Sequence, residues 1–206
     1  MRNGLRIALA VMIALCSRSA SATTIDFESF VDGDILTNQV AGVTFSNATV
    51  VTAGISLNEA EFPPHSGEDV VVDDGGALSL SFATPIASFG GYFTYVVPIT
   101  LQAFSSSNAL LGTVTSAFSN NSLAFADPGS SPNEFLQLAS ATGIASVIIT
   151  GDVSGASFLL DDVTLTPLQT GPDPGTDPAP VPEPATILLT LSGLAALPRA
   201  ARRRRS

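Results

Sequence analysis

The sequence predicts an all-β fold for residues 23–168 of this 206-residue chain, an antiparallel β-sandwich of jelly-roll-like type. Three observations predict it. Short apolar runs recur along this stretch, clusters of Gly, Ser, Asn, Asp and Pro separate them, and nothing sustains a 3.6-residue period between helix caps. About ten strands spaced by turn signals fit a two-sheet core, and the segment is long enough to bury one.

The strands read in order. "TIDFE" opens the domain, "AGVTFSNATVV" follows, and "DVVVDD" reads as an arm of a hairpin with its turn. In "ALSLSF", Leu78, Leu80 and Phe82 alternate with Ser79 and Ser81, so one face is buried. In "ASFGGYFTYVV", Phe89, Phe93 and Tyr95 share one face and belong to the core, while Tyr92 points the other way. "ITLQAFSS", "LLGTVTSAF", "EFLQLAS", "ASVIITGD" and "SFLLDDVTL" complete the set. After it, "QTGPDPGTDPAP" (169–180) is too rich in Pro and Gly to pack and reads as an extended linker.

Charge is segregated. All eight basic residues sit at the ends, at Arg2, Arg6, Arg18, Arg199, Arg202, Arg203, Arg204 and Arg205, while all 18 acidic residues lie between Ser19 and Pro198. Such a middle repels phosphates and excludes nucleic acid as a partner. It suits cations and keeps a secreted protein soluble. Residues 1–22 have the form of a secretory signal peptide: Arg2 and Arg6, an apolar run Ile7–Cys16, and Ala20-Ser21-Ala22 as cleavage site. Cleavage after Ala22 removes Cys16, the only cysteine, so no disulfide holds the product.

Absences argue against catalysis. The lone His65 sits in the loop-like "FPPHSGED", where exposure is the default, and no G-x-S-x-G elbow presents a serine to it. In the chain left after cleavage, one His and no Cys put a zinc site out of reach. Glu59, Glu61, Glu68 and Glu134 offer carboxylates for glycoside hydrolysis, but nothing pairs them. Sugar platforms favour Trp or Tyr. Trp is absent here and Tyr occurs only at 92 and 95, which leaves Tyr92 as the ligand-binding candidate.

The acids at the two ends of the domain carry more. Asp26 and Glu28 lie in its first strand, and Asp161 and Asp162 are adjacent in its last. Adjacent strand residues face opposite ways, so one of the last pair is expected to point inward. A buried carboxylate needs compensation. With no Lys or Arg in the domain, that means a cation, protonation or backbone N–H donors. The arrangement resembles jelly-roll carbohydrate-binding modules, in which an acid near the first strand and an Asp on the last hold a structural calcium. The resemblance implies Glu28 and Asp162 as calcium ligands, with Asp161 as substitute.

The chain closes on Val181-Pro182-Glu183-Pro184, an apolar run at 185–197 interrupted by Thr186, Thr190, Ser192 and Gly193, then Arg199 and Arg202, Arg203, Arg204 and Arg205. Thirteen residues of helix reach about 20 Å, short of the ~30 Å hydrocarbon core. This segment, 181–206, resembles the PEP-CTERM sorting signal of exported proteins in Gram-negative bacteria that make extracellular polysaccharide. The resemblance implies that Pro182, Glu183 and Pro184 are read by exosortase, a membrane-embedded processing transpeptidase. A short C-terminal hydrophobic helix would hold the intermediate, with the arginines as the cytoplasmic stop. Pro198 departs from the pattern and shortens that helix.

The expectation is therefore a non-enzymatic exported protein, passing through the inner membrane to the cell surface or extracellular matrix. Its β-domain would be structural or adhesive, or else a calcium-supported module for extracellular polysaccharide. A Tyr92 beside carboxylates in a concave groove would favour the second.

Overall fold

A computed structural model describes residues 21–169. Nearly all of the signal peptide, the linker after Gln169, the sorting motif, the hydrophobic run 185–197 and the C-terminal arginines lie outside the described residues. Among those described, no helix is long and apolar enough to cross a membrane.

Nine strands form the domain: β1 (Thr23–Ile25), β2 (Val43–Ser46), β3 (Ala48–Thr52), β4 (Asp69–Asp74), β5 (Leu78–Tyr95), β6 (Thr100–Phe104), β7 (Leu110–Thr115), β8 (Glu134–Thr150) and β9 (Gly155–Pro167). All pair antiparallel, in the order β3-β4-β9-β5-β8-β6-β7, with β1 on β9 and β2 on β5. Long β5 and β8 each serve two layers. Their first partnership, Leu78–Ser81 with Ser146–Ile149, builds a layer with β2, β6 and β7. Their second, Ser88–Phe93 with Glu134–Ala139, builds a layer with β9, β4, β3 and β1. Between the two partnerships the register breaks on either side of Ile86, where irregular pairing lets a strand turn the corner of a sandwich.

This corrects the strand count. "ALSLSF" and "ASFGGYFTYVV" are one bent strand, as are "EFLQLAS" and "ASVIITGD". Conversely "AGVTFSNATVV" is cut at Asn47, whose positive φ of 55° passes the chain from β2 in one layer to β3 in the other. Asn tolerates that region better than most residues.

The inward faces join in one core. It takes Leu78, Leu80, Leu101 and Ile149 from the first layer and Phe89, Phe93, Phe158 and Leu160 from the second. Phe89, Phe93 and Tyr95 are fully buried, as the alternation in β5 requires. Each such large apolar side chain contributes about 1.5–3 kcal/mol by leaving water. With no disulfide among the described residues, this core holds the domain. A smaller cluster of Leu57, Val70 and Leu159 lies on the outer face of the second layer, under the loop that links β3 to β4.

Candidate functional site

The outer face of the second layer carries Tyr92 on β5 and, directly opposite in register, Phe135 on β8. Their ring centroids lie 5.0 Å apart at a tilt of 53°. Phe135 stays exposed and its ring crosses Gly90, leaving no room for a side chain there: a Cβ on Gly90 would come within 2.7 Å of Phe135 Cζ. Over Tyr92 lies His65, its ring centroid 3.4 Å away and its plane within 10°. Three rings thus make one continuous patch.

The loop that brings His65 there is fastened at every turn. Asn133 Nδ2 donates to the carbonyls of Pro63 and Pro64, at 3.2 and 3.4 Å. The N–H groups of His65 and Ser66 donate to Asp161 Oδ2, at 2.8 and 3.0 Å. His65 Nδ1 and Asp162 Oδ2 are 2.6 Å apart, and Ser66 Oγ donates to Asp162 Oδ1. At the far end the N–H groups of Glu68 and Asp69 donate to Glu28 Oε1, at 3.0 and 2.9 Å. Gly67 between these anchors has φ +54°, and the Glu28 carboxylate occupies the space its Cβ would need.

One of the adjacent acids, Asp161, is buried as expected, but beneath a loop and not in the core. Both carboxylates reach the same loop from the same side. The cause is a β-bulge. The β5–β9 register shifts by one residue between Gly90 and Tyr92, and Asp162 takes a left-handed φ of 46°. An extra residue in one strand re-aims its side chains in this way.

Asp161 is buried with no Lys or Arg beside it, and burial pushes its pKa up to about 6. Backbone N–H groups oppose that rise, including the one Asp162 donates to Asp161 Oδ1. Of the compensations open to a buried acid in this domain, N–H donors are present. Glu28, Asp161 and Asp162 do converge on one loop, but at its two ends. Among the described residues no three His, Cys, Asp or Glu side chains gather into a metal-sized cluster.

Sequence reasoning missed other polar anchors. Asp73 is buried and accepts from Ser157 N, Ser157 Oγ and Phe158 N, at 2.7, 2.8 and 3.0 Å. Burial raises its pKa against those bonds. Asn121, also buried, accepts from Tyr95 N and donates to the Phe93 carbonyl. Alternation hints at Asp73, since it shares parity with buried Val71, but nothing local marks Asn121 or Asn133.

His65 Nδ1 meets a carboxylate, but Ser66 Oγ is turned to Asp162 too, and among the described residues no hydroxyl bonds to His65 Nε2. Tyr92 is half-buried beneath His65, so the ring that faces solvent most openly is Phe135. On the same outer face an apolar groove of about 340 Å³ is lined by Val51, Leu57, Phe62, Val72 and Leu159. Tyr92 does not line it.

No family model matches the chain, and no curated protein matches it in sequence. Among solved structures it is similar to the K2 cleaved adhesin domain of Lys-gingipain, at 13% identity and a TM-score of 0.45, covering 71% of this chain and 99% of that one. The K1 cleaved adhesin domain of Lys-gingipain from Porphyromonas gingivalis gives 12% and 0.43, with 73% and 99% covered. The CBM22-1 xylan-binding domain from Paenibacillus barcinonensis Xyn10C gives 13% and 0.41, with 75% and 99% covered. The likeness is one of architecture, an all-β sandwich.

Proposed function

We propose that this chain is an exported, non-enzymatic protein of the cell surface or extracellular matrix whose β-domain is a structural or adhesive module. Its address is the segment 181–206: Pro182-Glu183-Pro184, a short apolar run and a terminal arginine cluster. That order and spacing support processing by an exosortase-type enzyme at the membrane. Replacing Pro182, Glu183 and Pro184 with alanine tests it. The account predicts a heavier product that stays with the membrane; unchanged mature mass and location would contradict it.

A specific observation favours a carbohydrate-binding role for the domain: the patch of His65, Tyr92 and Phe135, rigidly backed and partly open to water. Aromatic faces stack on sugar rings, and a site whose rings are already held loses little entropy on binding. The partner is extracellular polysaccharide, presented to a domain without basic side chains. Affinity electrophoresis through polysaccharide from the producing cell tests this reading. Retardation lost in Phe135→Ala supports it, and equal mobility of the two proteins refutes it.

A further inference from the structure

We infer that the β7 edge is a self-association surface, at which a second copy of this chain pairs strand to strand. The inference is independent of what the aromatic patch binds.

Charge placement comes first. From residue 75 to residue 126, and again from 135 to 151, no side chain is charged. These stretches supply β5, β6, β7 and nearly all of β8, and β2 carries no charge either. The outer face of the first layer is thus a band of hydroxyl, amide and apolar groups. One row across it reads Ser46, Ser79, Ile148, Gln102, Thr113. Every acid of the domain lies elsewhere. Two copies meeting through any acidic region would set carboxylates against carboxylates, with no Lys or Arg between Ser19 and Pro198 to relieve them. The uncharged layer carries no such penalty.

Edge closure comes second. An unpaired strand edge is a template for another chain unless something covers or blocks it. The β3 edge is covered: Gly33 N and Leu36 N donate to the carbonyls of Val50 and Ala48, and Val50 N donates to Asp34 O. The β2 edge receives Thr37 O on Phe45 N. Among the described residues β7 pairs with β6 alone, and no loop bonds to its other side. Its sequence, LLGTVT, holds no charge and no proline. Past a register break at Leu111, Gly112–Thr115 stays in plain register with β6. Thr113 and Thr115 are exposed on the uncharged face.

A twofold axis through β7 makes each copy's edge the partner of the other, as an isologous contact requires. The first layers then join into one wider uncharged sheet. So short a strand pair is a small interface and gives weak, reversible association. It suits molecules concentrated at a surface.

Cross-linking reads such a contact. In the full chain with Cys16→Ser, single cysteines are placed in turn at Leu111, Thr113, Val114 and Thr115, with Thr44 and Ser46 on β2 as controls. The expected result is a disulfide-linked dimer that peaks at one β7 position and is absent from both controls. Adding Thr113→Glu to the best cross-linking variant at another position is expected to cut the yield about fivefold, because it puts two acids into an interface that holds no base. No β7 dimer above the controls would overturn the inference. So would equal yields on β2 and β7, which would mean contact through the sheet's face.

Discussion

His65 lies flat on Tyr92, ring over ring at 3.4 Å, with its Nδ1 against the Asp162 carboxylate. The histidine is an exposed loop residue, as expected, and it also covers Tyr92 in the domain's outer aromatic patch. Removing it uncovers Tyr92. Since the chain has two tyrosines and no tryptophan, tyrosine fluorescence reads the change. His65→Ala is expected to increase quenching by iodide and to lower stability by about 1 kcal/mol. Unchanged quenching would mean that the stack does not persist in solution.

Asp161 gives the domain a pH dependence of definite sign. Its pKa stands at about 6 folded, against an ordinary 3.8. Between those values the folded chain holds the proton more tightly than the unfolded chain does. Stability therefore falls as pH rises from about 4 to about 6, by an amount on the order of 2–3 kcal/mol, and this contribution is constant above that window. Buried Asp73 shifts in the same direction and adds to the slope. Denaturation at a series of pH values checks it. In Asp161→Asn the slope is expected to shrink; a slope unchanged by that substitution would assign it to other groups.

The loop over Tyr92 depends on Glu28 and Gly67 together. A side chain at 67 would have to hold a left-handed φ and displace the Glu28 carboxylate. Gly67→Ala is expected to cost on the order of 1–2 kcal/mol or more. Glu28→Ala leaves the N–H groups of Glu68 and Asp69 without their acceptor, at a similar cost. Hydrogen exchange at those two amides is expected to speed up in both variants.

Calcium has a direct test. A structural calcium held by Glu28 and Asp162 predicts a melting temperature that EDTA lowers and added calcium restores, with the effect lost in Asp162→Asn. An unchanged melting temperature would leave these acids to the N–H and ring contacts they make with one loop.

The strand content was legible because alternation is a local signal, and so was the core role of Phe89, Phe93 and Tyr95. The joining of strands was not. Whether Phe82 to Ser88 ends one strand or bends it depends on what pairs on either side, which no local pattern carries. The importance of Glu28, Asp161 and Asp162 was readable from acids left without basic partners. Their manner of use was not, because the bulge at Asp162 reverses the facing that strict alternation predicts. The contacts of His65 were unreadable because its partners lie 27 and 97 positions away in sequence.

The most direct measurement is an NMR titration of the domain with oligosaccharides cut from the producer's polysaccharide. The account predicts shifts concentrated at His65, Tyr92 and Phe135, and their loss in Phe135→Ala. Shifts concentrated instead at Ser79, Gln102 and Ile148 on the opposite layer, or none at saturating sugar, would contradict it.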